Sequence, residues 1–214
     1  KQSLLDAADV FLKRQQRSLG ISESEKMKIA IKSLGLDDLR PFDPKKKVIE
    51  YMLEEPGAER LVSMDLKKFT EETAGESPAP GGGSVGAYVG ALGAALGTMV
   101  ANLSAHKRGW DDKWDQYSEW AVIGEKHRNE LLYLVDEDTR AFDRILAAFG
   151  LPKGSDAEKA ARAKAITEAT KGAINTPLRT MEVCVESMAL MQAMAETGLP
   201  ASVSDAGVGA VCAR

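Results

Sequence analysis

An all-α fold is what the sequence predicts, on three observations. Apolar residues recur three and four apart along most of the chain, and no stretch alternates well enough to argue for a strand. The third is the stretch from Ser77 to Ala105, a proline- and glycine-rich entry, Ser77-Pro-Ala-Pro-Gly-Gly-Gly-Ser84, followed by a glycine- and alanine-rich run without a charged side chain. In a chain that is 28% Asp, Glu, Lys and Arg, such a run marks burial. The expected architecture is a helical bundle around this central helix.

Prolines restrict and glycines free the backbone of the entry loop, and Ser84 is read as the residue that accepts from the first free N–H groups of the helix. Gly86 and Gly90, then Gly93 and Gly97, lie four apart, where a missing side chain lets a neighbouring backbone approach. Each costs about 1 kcal/mol of helix propensity against Ala, so packing has to recover the difference. The run is long enough to cross a bilayer, but Ala and Gly dominate over Leu, Ile and Phe and no second span exists, so a buried central helix is the preferred reading and no membrane partner is expected.

Ahead of it, Leu4, Leu5, Ala8, Phe11 and Leu12 form one helical stripe between Lys1 and about Leu19. Ser22-Glu23-Ser24-Glu25 opens a second helix that fails at Gly35. Asp43 caps and Pro44 takes the first helical position of a helix from Lys45 to Glu54, stopped by Pro56-Gly57. Residues 1–60 read as a helical connector and 61–214 as the main domain. Asp65 begins the helix that leads into the glycine loop. Beyond the central helix, His106 to Trp110 is a short basic turn, and Asp111 caps a long helix reaching Phe149, ended by Gly150 and Pro152. Ser155 and Glu158 form a capping box. Pro177 is expected to kink or restart the helix that follows, and Met181, Val185, Met188, Met191 and Met194 to fill core until Gly198. Pro200 to Ser204 reads as a loop before a last segment at Asp205.

A formal charge of −4 disfavours nucleic acid as the main partner. Cys184 and Cys212 have no His or Cys at ligand spacing and read as reduced packing residues, which suits the cytoplasm. His106 and His127 are too isolated to argue for a metal. The glycine run lacks the Gly-Lys-Ser/Thr of a phosphate loop, and no serine sits in a nucleophile elbow.

One carboxylate stands out. Winding residues 131–149 at about 100° per residue places Leu131, Leu134, Val135, Phe142, Ile145 and Phe149 within roughly 60° of Asp138. Asp136 and Asp143 then point to the far side and Glu137 to a flank, as surface charges. Charge on an apolar stripe is costly unless paired, so Asp138 is read either as a satisfied core carboxylate or as an acid/base group.

Five motifs, in order and spacing, resemble the cyclodeaminase/cyclohydrolase family of folate enzymes: Ser77 to Val85, Leu134-Val-Asp-Glu-Asp138-Thr-Arg-Ala-Phe142, Leu151-Pro-Lys153, Thr176-Pro-Leu178 and Val203-Ser-Asp205-Ala-Gly-Val208. The resemblance covers about 65–214. Residues 30–54, with Leu36-Asp-Asp-Leu-Arg-Pro-Phe-Asp-Pro44, look like the segment joining the halves of bifunctional formimidoyltransferase-cyclodeaminases, which fits a start at Lys1 cut from something longer. The resemblance implies an all-α, homodimeric, cytoplasmic enzyme of histidine degradation and one-carbon metabolism. Its substrate is formimidoyl-tetrahydrofolate, polyglutamylated forms included, and neither a metal nor a separate cofactor is implied. It also implies catalysis by Asp138. Gly81, Gly82, Gly83 and Ser84 are assigned to folate polar groups, Lys107 and Arg108 to the glutamate tail, and Asp205 to the pterin or to a helix cap. The family's last helices run beyond the Ser-Asp-Ala-Gly-Val motif, so the domain is expected to be truncated at Arg214. The alternatives are a methenyl-tetrahydrofolate cyclohydrolase and a non-catalytic folate-binding or assembly module.

Overall fold

The computed structural model describes residues 1–53 and 60–214 and is all-α, with no strand among them. The helices are α1 (Gln2–Arg14), α2 (Glu23–Ser33), α3 (Pro44–Lys47), α4 (Ile49–Met52), α5 (Leu66–Ala74), α6 (Gly82–Ala105), α7 (Trp114–Phe149), α8 (Asp156–Thr197) and α9 (Val203–Ala213).

Local chemistry explains most boundaries. Ser22 accepts from the Glu25 N–H to start α2, and Asp65 accepts from the Lys68 N–H to start α5. At α8 the expected capping box is present, the Glu158 N–H donating to Ser155 Oγ at 3.2 Å and the Ser155 N–H to Glu158 Oε2 at 2.8 Å. Four expectations need correction. Val48 turns extended, splitting the helix expected after Asp43 into α3 and α4; its proposed stop at Pro56-Gly57 lies outside the described residues. Residues 111–113 are turn, so α7 starts three residues beyond Asp111. Helix α8 runs through Pro177 without restarting. Proline removes only its own N–H, which leaves Ala173 without its helical partner, while Thr176 and Thr180 add side-chain bonds to the Gly172 and Thr176 carbonyls. Finally, Pro200–Ser202 is a 3₁₀ turn that passes directly into α9, so Asp205 lies inside the first helical turn.

The described residues form two compact units. One comprises 1–53, 95–126 and 190–209; the other comprises 60–94, 127–189 and 210–214, and α6, α7 and α8 each contribute to both.

In the first unit, Met27, Ile31 and Val48 form a small core with Leu4, Leu5, Phe42 and Tyr51 against it. A second core joins Val100, Ala101 and Ala105 of α6 to Tyr117 and Ala121 of α7, Leu190 and Met194 of α8 and Ala206 of α9. The segment at residues 18–20 is tied to this core. The Ser18 N–H donates to His106 Nε2 at 3.0 Å, the Leu19 N–H to Ser118 Oγ at 2.8 Å, and Asn102 Nδ2 to the Gly20 carbonyl at 2.8 Å. Burial, reinforced by the Arg17 charge, pushes the His106 imidazole below its ordinary value of 6.5. A lowered folded-state value means that the unfolded chain takes up the proton first. His106 therefore supports the fold fully above about pH 6.5, and that contribution drains away as pH falls from there through its folded value. Thermal melts should show a midpoint that drops between pH 7 and pH 5, with a shallower drop in His106→Gln.

In the second unit, Ala87, Ala91 and Ala94 of α6 pack on Leu131, Leu134 and Val135 of α7 and on Val183 and Cys184 of α8. A Cβ on Gly90 would stand 2.6 Å from Cys184 Sγ, so the small residue permits this approach. Gly97 has the same function in the first unit, against Leu190 and Met191, whereas Gly86 meets nothing within 4 Å. Both cysteines are free, and burial raises the Cys184 thiol. Of the apolar residues expected to fill the core along α8, Met191 and Met194 do, but Met181 and Val185 are exposed, because they lie on the opposite side of the helix from Val183 and Leu190.

By length and composition α6 could cross a membrane; 56% of its most apolar window is buried within the protein.

Candidate active site

The second unit brings the glycine loop and Asp138 together. Gly81 precedes α6 and its carbonyl accepts from the Val85 N–H at 3.0 Å, so Gly81, not Ser84, begins the helical ladder. Ser84 lies within the first turn and is fully buried. Its N–H donates to Asp138 Oδ2 at 2.9 Å, and its hydroxyl lies 3.1 Å from the same oxygen and 3.0 Å from the Val135 carbonyl. Asp138, projecting from α7, thus takes the place of a cap for α6. A carboxylate fits there because the first N–H groups of a helix lack internal partners and carry the positive end of its dipole. Gly83 completes the arrangement: a Cβ on it would stand 2.2 Å from Asp138 Oδ1.

The carboxylate opens into a cavity of about 300 Å³ lined by Pro78, Ala79 and Gly81 from the loop, Asp138, Thr139, Ala141, Phe142 and Asp143 from α7, and Ala173 from α8. The lining is mostly apolar around two acids, Asp138 and Asp143, of which only Asp138 is held by the start of α6. Oδ2 is held by Ser84, while Oδ1 has no hydrogen-bond partner among the described residues. An oriented carboxylate with one engaged and one open oxygen can accept a proton from a bound molecule and return it.

The helical wheel places Asp138 on the inner seam of α7, where it lies, but misjudges its neighbours. Asp136 is only 8% exposed and faces the Val62 N–H at 3.5 Å, so it is no surface charge. Glu137 is also largely covered. Burial pushes its carboxyl up, but hydrogen bonds from Arg144 and Arg140 outweigh that and leave it below the ordinary carboxylate range. Phe142 and Phe149 are exposed, whereas Ala141 and Ala148 are buried. The seam follows a 3.5-residue repeat, Leu134, Asp138, Ala141, Ile145 and Ala148, which drifts away from an ideal 3.6-residue wheel over several turns.

The other residues assigned to the substrate, Lys107, Arg108 and Asp205, belong to the first unit. Lys107 and Arg108 are exposed in the turn after α6. Lys107 lines a cavity of about 390 Å³ with Arg17 and His106, and Asp205 is half-buried on α9. None of the three lines the Asp138 cavity. A roomier cavity of about 820 Å³, between Met27, Ile31, Phe42 and Tyr51, has an apolar floor and a rim of mixed charge. In the second unit, His127 lies 3.2 Å from Ser187 Oγ and 3.6 Å from Glu186 Oε2, an order of groups reminiscent of a nucleophilic triad. Ser187 is fully buried and donates to the Val183 carbonyl, which fits a packing role. Among the described residues no group of three His, Cys, Asp or Glu side chains is placed to hold a metal ion.

Comparisons with known proteins identify the family. The family model described as Formiminotransferase-cyclodeaminase matches residues 65–214, and the one described as Formiminotransferase domain matches 1–54. Formimidoyltransferase-cyclodeaminases from Rattus norvegicus and Gallus gallus are 35% and 36% identical over 98% of the chain, which spans 39% of their length. A methenyltetrahydrofolate cyclohydrolase from Methylorubrum extorquens is 39% identical over 69% of this chain and 71% of its own. The crystal structure of a formiminotetrahydrofolate cyclodeaminase from Thermotoga maritima superposes with a TM-score of 0.60 at 31% identity, covering 71% of each chain. With a family model matching well over half its residues and relatives aligned almost throughout, the chain belongs to the formiminotransferase-cyclodeaminase family.

Proposed function

We propose that this chain is a formimidoyltetrahydrofolate cyclodeaminase, an ammonia lyase converting 5-formimidoyl-tetrahydrofolate to 5,10-methenyl-tetrahydrofolate, and that Asp138 carries the protons. The reading rests on one observation above the others. The relatives named as formimidoyltransferase-cyclodeaminases align along 98% of the chain, 1–54 included, whereas the cyclohydrolase aligns along 69%.

The chemistry suits a single open carboxylate. Starting from the protonated amidine, N10 attacks the formimidoyl carbon and a C–N10 bond forms. The N10 proton passes to Asp138 and from there to the former amidine nitrogen. The C–N bond to that nitrogen then breaks, ammonia departs and the methenyl cation remains. A group that first accepts and then returns one proton contributes about 10²- to 10⁴-fold to rate. Ser84 holds Oδ2, which leaves Oδ1 for the exchange. The N–H groups of Gly82 and Gly83 have no carbonyl one turn back in α6 and are donors for folate polar groups, with Gly81 in the cavity wall.

In this reading Lys107 and Arg108 meet the carboxylates of a polyglutamate tail, and Asp205 meets the pterin. Residues 1–60 are a connector from a formimidoyltransferase half, 61–214 form the cyclodeaminase domain, and the chain acts in the cytoplasm as a homodimer without a separate cofactor. The exposed, charge-free side of α6, with Val89, Leu92, Met99 and Leu103, supports pairing of two copies.

A second reading, methenyl-tetrahydrofolate cyclohydrolase, is favoured by the 39% identity to the Methylorubrum enzyme. Absorbance assays separate the two: methenyl-tetrahydrofolate formed from the formimidoyl substrate supports the lyase, whereas hydrolysis of methenyl-tetrahydrofolate with no ammonia release supports the hydrolase. Binding without either reaction would leave a folate-binding module.

A further inference from the structure

Thr139 follows Asp138 on α7 and lines the same cavity, yet its hydroxyl is unemployed. Threonine inside a helix commonly donates to the carbonyl four residues back. In this chain Thr167, Thr170, Thr180 and Thr197 on α8 all do so, at 2.8 to 3.1 Å. For Thr139 that acceptor is the Val135 carbonyl, which already takes the helical N–H of Thr139 itself and the Ser84 hydroxyl at 3.0 Å. The Ser84 N–H takes Oδ2 of the neighbouring carboxylate, and the one Ser84 hydroxyl proton lies within reach of both that oxygen and the Val135 carbonyl. As a result Thr139 Oγ1 is closed to solvent and has no hydrogen-bond partner among the described residues.

A buried hydroxyl without a partner destabilises a fold, and threonine is a poorer helix former than alanine. Packing alone would be better served by an apolar side chain of the same shape. Nothing anchors the hydroxyl where it lies, and rotation about χ1, for which a helical threonine has two accessible wells, exchanges it with the methyl group. A polar molecule entering the cavity can therefore draw it out at little cost.

We propose that Thr139 is a substrate-positioning residue whose hydroxyl hydrogen-bonds the formimidoyl group and holds its nitrogen against Asp138. The proposal rests on the cyclodeaminase reading. The same Ser84 that orients the carboxylate also frees this hydroxyl, so one buried side chain prepares two neighbouring contacts for the substrate.

Thr139→Val keeps the shape and removes the hydroxyl, while Thr139→Ser keeps the hydroxyl. The expected result for Thr139→Val is a thermal midpoint equal to or above the parent's, together with a fall in kcat/KM of about tenfold or more and a raised KM. Thr139→Ser should stay within about threefold of the parent. Calorimetry with 5-formyl-tetrahydrofolate, which carries oxygen where the substrate carries nitrogen, gives a second readout that needs no turnover. If the parent binds this analogue but does not release ammonia, the cyclodeaminase reading fails, while weaker analogue binding by Thr139→Val still supports the contact. Unchanged kinetics and unchanged analogue binding in Thr139→Val would overturn it. So would a lowered melting temperature with intact activity, a serine variant as impaired as the valine one, or a parent that neither binds the analogue nor turns over.

Discussion

Asp138→Asn should remove turnover of 5-formimidoyl-tetrahydrofolate by about 10²- to 10⁴-fold while the protein melts within a few degrees of the parent. Asparagine is isosteric and its amide oxygen can still accept from the Ser84 N–H, so the contact between α6 and α7 survives. What it cannot do is take a proton from N10 and hand it to the leaving nitrogen. Absorbance at the methenyl-tetrahydrofolate band, run beside calorimetric binding of 5-formyl-tetrahydrofolate, separates lost chemistry from lost binding. Turnover within a few-fold of the parent would remove Asp138 from the mechanism.

Gly83→Ala is the second change with a large expected effect. The added methyl would stand 2.2 Å from Oδ1 and 2.6 Å from Cγ of Asp138, closer than atoms approach without bonding. The carboxylate has to swing aside, and displacement of a catalytic group by about 1 Å can cost on the order of 10²-fold in rate. Stability should change little, because the helix propensity gained from alanine, at most about 1 kcal/mol, is set against the loss of the carboxylate that caps α6, also worth about 1 kcal/mol. A variant that melts within a few degrees of the parent and turns over about a hundredfold more slowly is the expected signature. A fully active one would show that the carboxylate has room the structure does not give it.

Much of this was legible in the residues alone. The all-α class followed from periodicity, and the burial of Ala87, Ala91 and Ala94 from the missing charge on 77–105. Asp138 stood out because a charge on an apolar seam demands a reason. Other features escaped because they depend on which partner a group finds across space. Ser84 reads as a cap from its place after three glycines, but the structure begins α6 at Gly82 and gives its free N–H a carboxylate 54 residues away. Asp136 falls on the outer side of an ideal wheel, and only the approach of residues 61–62 covers it. Thr139 carries no signal in sequence, since its idle hydroxyl results from Ser84 occupying the Val135 carbonyl.

The bond between Ser84 and Asp138 also decides when in the life of the chain the oriented carboxylate comes into being. Neither α6 nor α7 contains the site by itself. Each can form its own ladder of local bonds while the carboxylate still points into water without an orientation. That geometry appears only when the first turn of one helix docks against the middle of the other, which closes a loop of more than fifty residues. Activity therefore reports on docking more than on helix content. Agents that loosen side-chain packing but spare the helices would silence such a chain while its far-ultraviolet circular dichroism stayed nearly unchanged.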